Sequence, residues 1–272
     1  MNKEFNKLIK GRNGYCLFNI NDRYIGHSFA KYGEFSHLEV ELFEQICRKD
    51  DTILEIGANI GAHTQFFSNV VGDSGKVFAF EPQRIVFQTL CANIALNSMT
   101  NVYTYHMALS DEEGTALIAP IDYSKLGNFG GISIENTQKG EPVQQKMLDS
   151  FIEQIENVKL IKVDVEGMEQ KVLKGAEKII KKFKPFLYVE NDRQEKSKEL
   201  IEYINSLDYK IYWHLPRLFN ENNFLKNKTN IFGNIVSVNM LCVHKDLKIN
   251  IEKMVEVVDS SFHPMRKDKN DE

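Results

Sequence analysis

Apolar residues recur along the chain in two alternating patterns. Short runs rich in apolar and β-branched residues predict seven strands, at 51–56, 76–82, 101–107, 158–165, 185–191, 209–215 and 239–246. The segments between several of them carry apolar residues at helical spacing and predict helices at 59–70, 84–97, 147–155, 167–183 and 194–207. Strands that alternate with helices pair in parallel. The pattern therefore predicts an α/β fold with a doubly wound, mostly parallel, seven-stranded sheet and helices on both faces.

The sequence before this alternating pattern predicts a small N-terminal unit. A hairpin is expected to turn at Asn21 and Asp22, and a capping helix is expected to begin with a capping box of Ser36 and Glu39. We expect the N-terminal unit at 1–50, the α/β core at 51–247, an insertion at about 115–147, a lid loop at about 215–239 and a tail at 248–272.

The composition limits the classes of protein to consider. Hydrophobic residues make up 42% and charged residues 26% of the 272 positions, which is typical of a globular protein. A net charge of −4 gives no reason to expect a nucleic acid as partner, and no apolar run suggests a membrane span. The N-terminus lacks a signal-peptide pattern and the four cysteines lack metal-ligand spacing, so we predict a cytoplasmic protein. The oligomeric state stays open.

Polar or glycine-rich segments end four of the predicted strands, at 55–61, 81, 164–167 and 190–191. The carboxyl ends of parallel strands form the ligand-binding edge of a doubly wound sheet. We therefore expect the four segments to share one site.

The turn after the first of these strands narrows the choice of ligand. Gly57 and Gly61 allow a ligand to approach the backbone closely, and the following helix offers free N–H groups. A dinucleotide fingerprint has glycine where this sequence has Asn59, and Glu55 would face the phosphates. The turn therefore disfavours NAD and favours S-adenosylmethionine, whose amino group can meet Glu55. Glu81, after the next strand, can accept hydrogen bonds from the ribose hydroxyls.

Four stretches resemble the FkbM family of S-adenosylmethionine-dependent methyltransferases: LEIGANIGAHT at 54–64, FAFEP at 78–82, MALSDEEGT at 107–115 and LIKVDVEGMEQKVLKGA at 160–176. The resemblance implies a class I methyltransferase whose strands run in the order 3-2-1-4-5-7-6, the last antiparallel. It implies cofactor contacts from Glu55, Gly57, Asn59, Gly61, Thr64, Glu81, Pro82, Met107 and Ala108.

Methylation of a hydroxyl group of a saccharide, a glycan precursor or a related polyhydroxylated small molecule is the function that this resemblance implies. Two alternatives are kept beside it. One is a nicotinamide-dependent oxidoreductase, and the other is a non-catalytic module that uses the same fold for interactions.

A sugar hydroxyl is a poor nucleophile, so its methylation needs a base or a metal. The candidate catalytic residues are Asp164, Glu166 and Glu190. In one interpretation Asp164 or Glu190 is the general base. In the other, Asp164, Glu190 and Asn191 bind Mg²⁺, which prefers oxygen ligands. Both interpretations stay open, and Glu166 has the further alternative of capping the following helix.

The lid loop is the first candidate for the acceptor site. It contains seven asparagines together with Phe219, Phe224 and Phe232, and amides and aromatic faces both suit sugars. The alternative is that asparagine simply favours turns.

Other segments are further candidates for the wall of the site. The glycine-rich stretch at 128–131 is a second candidate rim, and 30–36, with Tyr32 and Glu34, is a candidate cover of the cofactor. His63 either faces the acceptor or packs beside the helix and the cofactor.

Overall fold

A computed structural model of the protein describes residues 4–132 and 137–265. The N-terminal part contains β1 (Asn6–Gly11), β2 (Gly14–Asn19), α1 (Ile25–Tyr32) and α2 (His37–Ile46). The first half of the core contains β3 (Thr52–Ile56), α3 (Ala62–Val71), β4 (Lys76–Phe80), α4 (Arg84–Leu96) and β5 (Val102–Tyr105). An inserted part contains β6 (Ala108–Leu109), β7 (Gly114–Ile118), β8 (Glu141–Lys146) and a 3-10 helix (Leu148–Gln154). The second half contains β9 (Leu160–Val163), α5 (Glu169–Lys174), α6 (Glu177–Phe183), β10 (Phe186–Glu190), α7 (Gln194–Ser206), β11 (Tyr209–His214), β12 (Asn239–His244) and β13 (Val255–Glu256).

The central sheet has eight strands in the order β5-β4-β3-β9-β10-β12-β11-β13. The pairs from β5 to β10 are parallel, and β12 runs antiparallel to both of its neighbours. The predicted α/β class with a mostly parallel sheet is confirmed. The seven predicted strands lie in the predicted order, with the last of them, β12, antiparallel. The predicted count of seven was wrong, because β13 adds an eighth strand at one edge by pairing with β11. Two residues of strand are too few to leave a periodic pattern in the sequence.

The two faces of the sheet are covered by different helices. Leu54 and Ile56 of β3 face a core that α5, α6 and α7 cover, whereas Ile53 faces a core that α2 and α3 cover. Fully burying one such aliphatic side chain contributes roughly 1.5–3 kcal/mol. Because side chains alternate along a strand, Glu55 and Lys162 point to the same face as Ile53. The sheet therefore presents its polar strand-end side chains toward α2 and α3.

The N-terminal hairpin lies elsewhere than predicted. β1 and β2 pair from Asn6–Asn19 to Gly11–Gly14, so the turn is at residues 12 and 13 rather than at Asn21 and Asp22. The Asp22 carboxylate instead accepts hydrogen bonds of 2.9 Å from the backbone N–H groups of Tyr24 and Ile25. Asp22 thereby orders the start of α1, a helix that the sequence pattern did not reveal.

The capping box at α2 differs from the expected pattern. Ser36 does precede the helix, but its hydroxyl group donates to the Glu39 carboxylate at 2.5 Å and makes no cap bond to a backbone N–H. The backbone N–H of Glu39 donates to the Ser36 carbonyl instead, at 2.9 Å. Glu39 is consequently held with its side chain buried, at 5% exposure.

The inserted part forms a three-stranded sheet in the order β6-β8-β7 and folds toward the N-terminal part. Gly127 bridges to Asp22, and the buried Gln83 side chain donates to the Phe129 carbonyl at 2.8 Å. These bonds bring the stretch at 127–131 over the edge of the central sheet. Residues 133–136 of the insertion lie outside the described residues.

Long-range bonds fix the lid loop. The Glu34 carboxylate accepts from Arg12, from the Asn220 amide and from the Phe224 backbone, at 2.6–2.8 Å. The loop is thereby joined to the N-terminal hairpin. Within the described residues, no helix is long and apolar enough to cross a membrane.

Candidate functional site

A cavity of about 420 Å³ opens at the carboxyl ends of β3, β4, β9 and β10. Ligand pockets commonly measure roughly 300–1,000 Å³. The four predicted segments meet in its wall, which contains Glu55, Gly57, Asn59, Glu81, Pro82, Met107, Ala108, Asp164, Glu166 and Glu190. The N-terminal part, the insertion and the lid loop cover it with Tyr24, Ile25, Phe35, Asn128, Gly130, Ile132, Leu218 and Val236.

The glycine turn after β3 brings two of the predicted segments into contact. Gly57 has a φ of +84°, and a Cβ atom at this position would lie 1.8 Å from the Asp164 carbonyl oxygen. Glycine is therefore required here both by conformation and by the approach of the backbone after β9. Gly61, with a φ of +88°, begins α3 and is not part of the cavity lining.

Glu55 is buried beside the first turn of α3. The Thr64 hydroxyl group donates to Glu55 Oε2 at 2.6 Å, so Thr64 supports Glu55 from behind the wall and does not itself line the cavity. Burial raises the pKa of Glu55 to about 7, against the opposing effect of the nearby Lys162 ammonium.

Glu81 joins the two turns that follow β3 and β4. One carboxylate oxygen accepts from the Asn59 backbone N–H at 2.9 Å, and the other accepts from the Gln83 backbone N–H at 2.8 Å. Only 3% of the residue is exposed, and burial raises its pKa to about 7 despite these two bonds. Asn59 holds a positive φ of 51° in this arrangement. A carboxyl group is therefore fixed at the edge of the glycine turn.

Three carboxylates cluster after β9 and β10. Single oxygens of Asp164, Glu166 and Glu190 lie within 4.8 Å of one another. Two cations partly balance them, because Lys162 Nζ lies 2.9 Å from Asp164 Oδ2 and Arg193 forms an ion pair with Glu166. Neighbouring carboxylates of this kind can transfer protons. They also offer oxygen ligands to a divalent cation.

Burial and mutual repulsion change the acidity of this cluster. The pKa of Glu166 is raised to about 8 by burial first and then by the charges of Asp164 and Asp192. The pKa of Glu190 is raised well above its usual value by burial and by Asp164 and Glu166. Burial and the neighbouring carboxylates therefore favour the protonated form of Glu190.

Asn191, one of the three predicted metal ligands, is buried outside the residues that line the cavity. Its side-chain amide donates to the Ser197 hydroxyl at 2.9 Å and contacts the Met240 sulfur at 3.2 Å. It points away from the cavity because successive residues at the end of β10 face opposite sides of the sheet. Glu166 takes the third place in the described cluster.

Glu166 does not cap the following helix, either. Glu169 accepts the backbone N–H bonds in this turn, from Gly167 at 2.9 Å and from Val165 at 3.3 Å. The positive φ of 56° at Glu166 turns its side chain toward Arg193 instead.

Lys162 is the main site residue that the sequence interpretation missed. Its ammonium group is buried among Asp164, Glu55 and Glu39, and these charges raise its pKa above the usual value despite burial. The signal was present in the sequence, because a lysine inside the run LIKV of a central strand requires a buried counter-charge.

The aromatic residues of the lid loop are not in the cavity. Phe219 and Phe232 pack against Tyr32, and Phe224 lies over Gly33. Tyr32 is itself covered by the loop, since its hydroxyl group donates to the Thr229 carbonyl at 2.8 Å. Neither Tyr32 nor Glu34 covers a cofactor site.

The asparagines of the loop mainly organise turns. Asn220, Asn223, Asn227 and Asn230 each bond to the backbone within the loop. This corrects the prediction that the loop amides recognise an acceptor, except for Asn239 at its end, which lines the cavity. The glycine-rich rim is where it was expected, since Asn128, Gly130 and Gly131 line the cavity.

His63 lies in the cavity wall and is surrounded by aromatic rings. Its ring is 5.5 Å from that of Phe43 and 6.2 Å from that of Phe35, measured between centroids. Burial, together with the charge of Lys162, lowers its pKa to about 3. The ring is therefore neutral at any physiological pH.

The parallel sheet, the glycine turn and the acidic cavity at the strand ends define an α/β protein with a Rossmann-like methyltransferase fold. The model of the methyltransferase FkbM domain matches residues 55–211, which is more than half of the chain. The chain belongs to the FkbM methyltransferase family.

Two curated relatives are similar over about half of the chain. Methyltransferase 1 from Beauveria bassiana is 29% identical over 168 residues, which cover 52% of this chain and 66% of that protein. The hexuronic acid methyltransferase AglP from Haloferax volcanii is 28% identical over 141 residues, which cover 50% of this chain and 54% of that protein. The chain thus spans less than two thirds of the length of these relatives.

Solved structures are similar at lower identity. An FkbM methyltransferase from Methylobacillus flagellatus KT aligns with a TM-score of 0.48 and 18% identity over 74% of this chain and 50% of that one. Fibrillarin from Aeropyrum pernix in complex with S-adenosyl-L-methionine aligns with a TM-score of 0.45 and 12% identity over 89% of this chain and 84% of that one.

Proposed function

We propose that this protein transfers a methyl group from S-adenosylmethionine to a hydroxyl group of a saccharide, a glycan precursor or a related polyhydroxylated small molecule. The position of Glu81 carries the proposal. Its two oxygens are fixed by N–H groups of the glycine turn and of the turn after β4, and its side chain lines the cavity. Each oxygen keeps a second lone pair, so the carboxylate can still accept from the two ribose hydroxyls.

The charge of the lining supports a cationic ligand. Seven acidic side chains line the cavity within the described residues: Glu39, Glu55, Glu81, Asp164, Glu166, Glu190 and Asp192. Two basic side chains, Lys162 and Arg193, oppose them. Burial and mutual repulsion raise the pKa of several of these groups, so a ligand with a sulfonium and an ammonium group favours their charged forms, whereas a pyrophosphate opposes them. This balance disfavours the nicotinamide oxidoreductase.

The carboxylate cluster supports transfer to a hydroxyl group. Bound S-adenosylmethionine supplies an activated methyl group, and the chain has to hold the acceptor oxygen in line and remove its proton. We propose that Glu190 or Asp164 accepts the proton of the acceptor hydroxyl group. The raised pKa of Glu190 makes it the stronger base once its own proton has left, and Asp164 lies beside it in its ion pair with Lys162. Glu166 is the third candidate and is positioned by Arg193.

The acceptor class is supported by the polar lining and by one relative. AglP is named a hexuronic acid methyltransferase, which is consistent with a saccharide acceptor for a member of this family. The cavity wall is rich in groups that bond to hydroxyls.

Mg²⁺ is the alternative to a purely protein-based mechanism. Asp164, Glu166 and Glu190 offer three oxygens, whereas Mg²⁺ takes near-octahedral coordination. Two of the three carboxylates already have a cationic partner in Lys162 or Arg193. We therefore propose carboxylate chemistry without the metal as the main mechanism.

Isothermal titration calorimetry tests the cofactor. We expect S-adenosylmethionine to bind and NAD(P)H not to bind, and the reverse result contradicts the proposal. Turnover is then measured with methyl-labelled S-adenosylmethionine and a set of sugar nucleotides and methyl glycosides, with mass spectrometry of the products. Label transfer to nitrogen or carbon, or to none of the polyhydroxylated compounds, contradicts the proposed acceptor class.

A further inference from the structure

Three buried polar atoms in the cavity wall have no hydrogen-bond partner: His63 Nε2, Asn239 Nδ2 and Glu190 Oε2. His63 and Asn239 are each only 5% exposed. Two further atoms of this kind occur in the described part of the chain, in His37 and Trp213, and neither residue lines the cavity. An unsatisfied buried polar group is unfavourable, so polar atoms left unpaired in a cavity wall are suited to bonding a ligand.

Asn239 and Glu190 lie at the end of the cavity wall that is distant from Glu81, and His63 lies in the first turn of α3. His63 packs against Phe43, and Phe43 packs against Tyr188 of β10 with 4.8 Å between the ring centroids. Asn239 begins β12 directly opposite Glu190, the last residue of β10. Glu81 follows β4, which is three strands from β10 in the sheet. At a spacing of ~4.8 Å per strand, this separates the two ends by roughly 14 Å.

The chemistry of His63 is fixed by its surroundings. The ring is neutral, and the Ser36 backbone forms a hydrogen bond to it that favours the protonated ring. A backbone group with this effect is a carbonyl that accepts a ring N–H. Because Nε2 has no partner, the bonded nitrogen is Nδ1. Nε2 of His63 and Nδ2 of Asn239 are then unpaired polar atoms of two side chains that line the cavity.

We infer that His63, Asn239 and Glu190 form a subsite for hydroxyl groups of the methyl acceptor, and that the acceptor is a pyranoside with neighbouring free hydroxyls. This inference rests on the proposed methyl transfer. One hydroxyl group donates to His63 Nε2, a neighbouring oxygen accepts from Asn239 Nδ2, and the Glu190 carboxyl group bonds to the hydroxyl that is methylated. A vicinal diol offers both a donor and an acceptor, as this set of unpaired groups requires.

An apolar surface lies beside these polar groups. Phe35 lines the cavity and contacts the His63 ring at 6.2 Å between centroids. Leu218 and Val236 of the lid loop line the cavity as well. A pyranose ring has an apolar C–H face that packs on such a surface while its hydroxyls bond to the polar groups. Phe35 thus provides the aromatic face for a sugar ring that the sequence analysis expected from Phe219, Phe224 and Phe232.

Long-range ¹H–¹⁵N spectra of the ¹⁵N-histidine-labelled protein test the inference without turnover. We expect His63 to be present as the Nδ1–H tautomer, and its assignment follows from the spectrum of His63→Phe. The protein is saturated with S-adenosylhomocysteine and titrated with methyl glucopyranoside, methyl mannopyranoside and methyl glucuronide. At least one of them should shift the Nε2 signal of His63 in the direction of an accepted hydrogen bond.

Matched variants separate this subsite from general effects on the fold. His63→Phe and Asn239→Leu should weaken pyranoside binding by about tenfold or more, since each removes one bond to a buried polar group. His63→Gln, which places a polar atom near the position of Nε2, should bind more tightly than His63→Phe. His37→Phe is the control, because His37 also has an unpaired ring nitrogen but does not line the cavity, and it should bind like the wild type.

Two results would overturn the inference. One is a His63 Nε2 signal that none of the pyranosides shifts. The other is a His63→Phe variant that loses affinity for S-adenosylmethionine while it keeps its affinity for the pyranoside, which would assign His63 to the cofactor. Both leave the proposed function intact. A wild type that binds neither S-adenosylmethionine nor S-adenosylhomocysteine contradicts the proposed function itself.

Discussion

The Lys162 ammonium group lies 2.9 Å from the Asp164 carboxylate at the end of β9, with only 3% of the Lys162 side chain exposed. The same cation is close enough to Glu55 and Glu39 for each of them to raise its pKa. One buried lysine thus supplies positive charge to three acidic groups of the cavity. Removing one partner of a buried ion pair is far more costly than never having the pair, because the remaining charges lose their compensation.

Lys162→Met should therefore reduce stability strongly. We expect a loss of about 3–5 kcal/mol in the free energy of unfolding at pH 8. At pH 5 the loss should be smaller, because Glu55 is then protonated and needs no counter-charge, given its pKa of about 7. Urea unfolding at the two pH values measures this difference, with Lys181→Met on the exposed face of α6 as control. An equal loss at both pH values would contradict the role of Lys162 as a shared counter-ion.

Glu81→Ala should weaken the binding of S-adenosylmethionine by about 10- to 100-fold, because roughly 1.5–3 kcal/mol of charge-assisted hydrogen bonding is lost. Glu81→Gln should lose less, since its amide can still bond to one hydroxyl. Calorimetric titration gives the dissociation constants, and circular dichroism confirms that the variants are folded. An unchanged constant in folded Glu81→Ala would remove Glu81 from the cofactor site.

The affinity for S-adenosylmethionine should increase with pH, because Glu55 and Glu81 lose their protons as the pH rises. Both have a pKa of about 7 in the free protein, and a bound cation favours their charged forms. Affinity for S-adenosylmethionine should then rise between pH 6 and pH 8, with protons released on binding. Titrations in buffers of different ionisation enthalpy count these protons. Glu81→Gln should release fewer protons on binding. An equal proton release in the wild type and the variant would show that Glu81 is not a source of these protons.

The stability of the free protein, in contrast, should decrease as the pH rises, as far as Glu55 and Glu81 contribute to it. The pKa of both groups is higher in the folded protein than the usual value of 4.5, so the folded state binds more protons than the unfolded state between about pH 4.5 and 7. These two groups therefore reduce stability as the pH rises through this window. Urea unfolding of Glu81→Gln should show a weaker pH dependence than that of the wild type.

Asp164→Asn should abolish turnover and largely preserve the fold, since the amide keeps the size of the side chain and removes its charge. The same variant tests the metal. If the cluster acts without a metal, EDTA should not affect the wild type, and the rate should rise with pH as a carboxyl group loses its proton. If Mg²⁺ is required, EDTA should abolish activity and Mg²⁺ should restore it in the wild type but not in Asp164→Asn. A wild type indifferent to EDTA together with a fully active Asp164→Asn would contradict both mechanisms.

The sequence by itself determined the alternation of strands and helices and the segments at the strand ends. These follow from short-range periodicity and from residues such as Gly57, whose backbone conformation few other residues adopt. The order of strands came from the family resemblance, and the motif GANIGAHT together with Glu81 predicted the cofactor end of the cavity.

Only the tertiary structure decided which side chains face the cavity. Asn191 is next to Glu190 in sequence but bonds to Ser197 on the other side of the sheet. Tyr32 and Glu34 are satisfied by partners in the lid loop, about 200 positions away in the chain. Lys162, His63 and Asn239 line the cavity because β9, α3 and β12 bring them to one edge of the sheet. Pairings between residues so distant in sequence depend on how whole elements pack, and no local pattern of residue types records them.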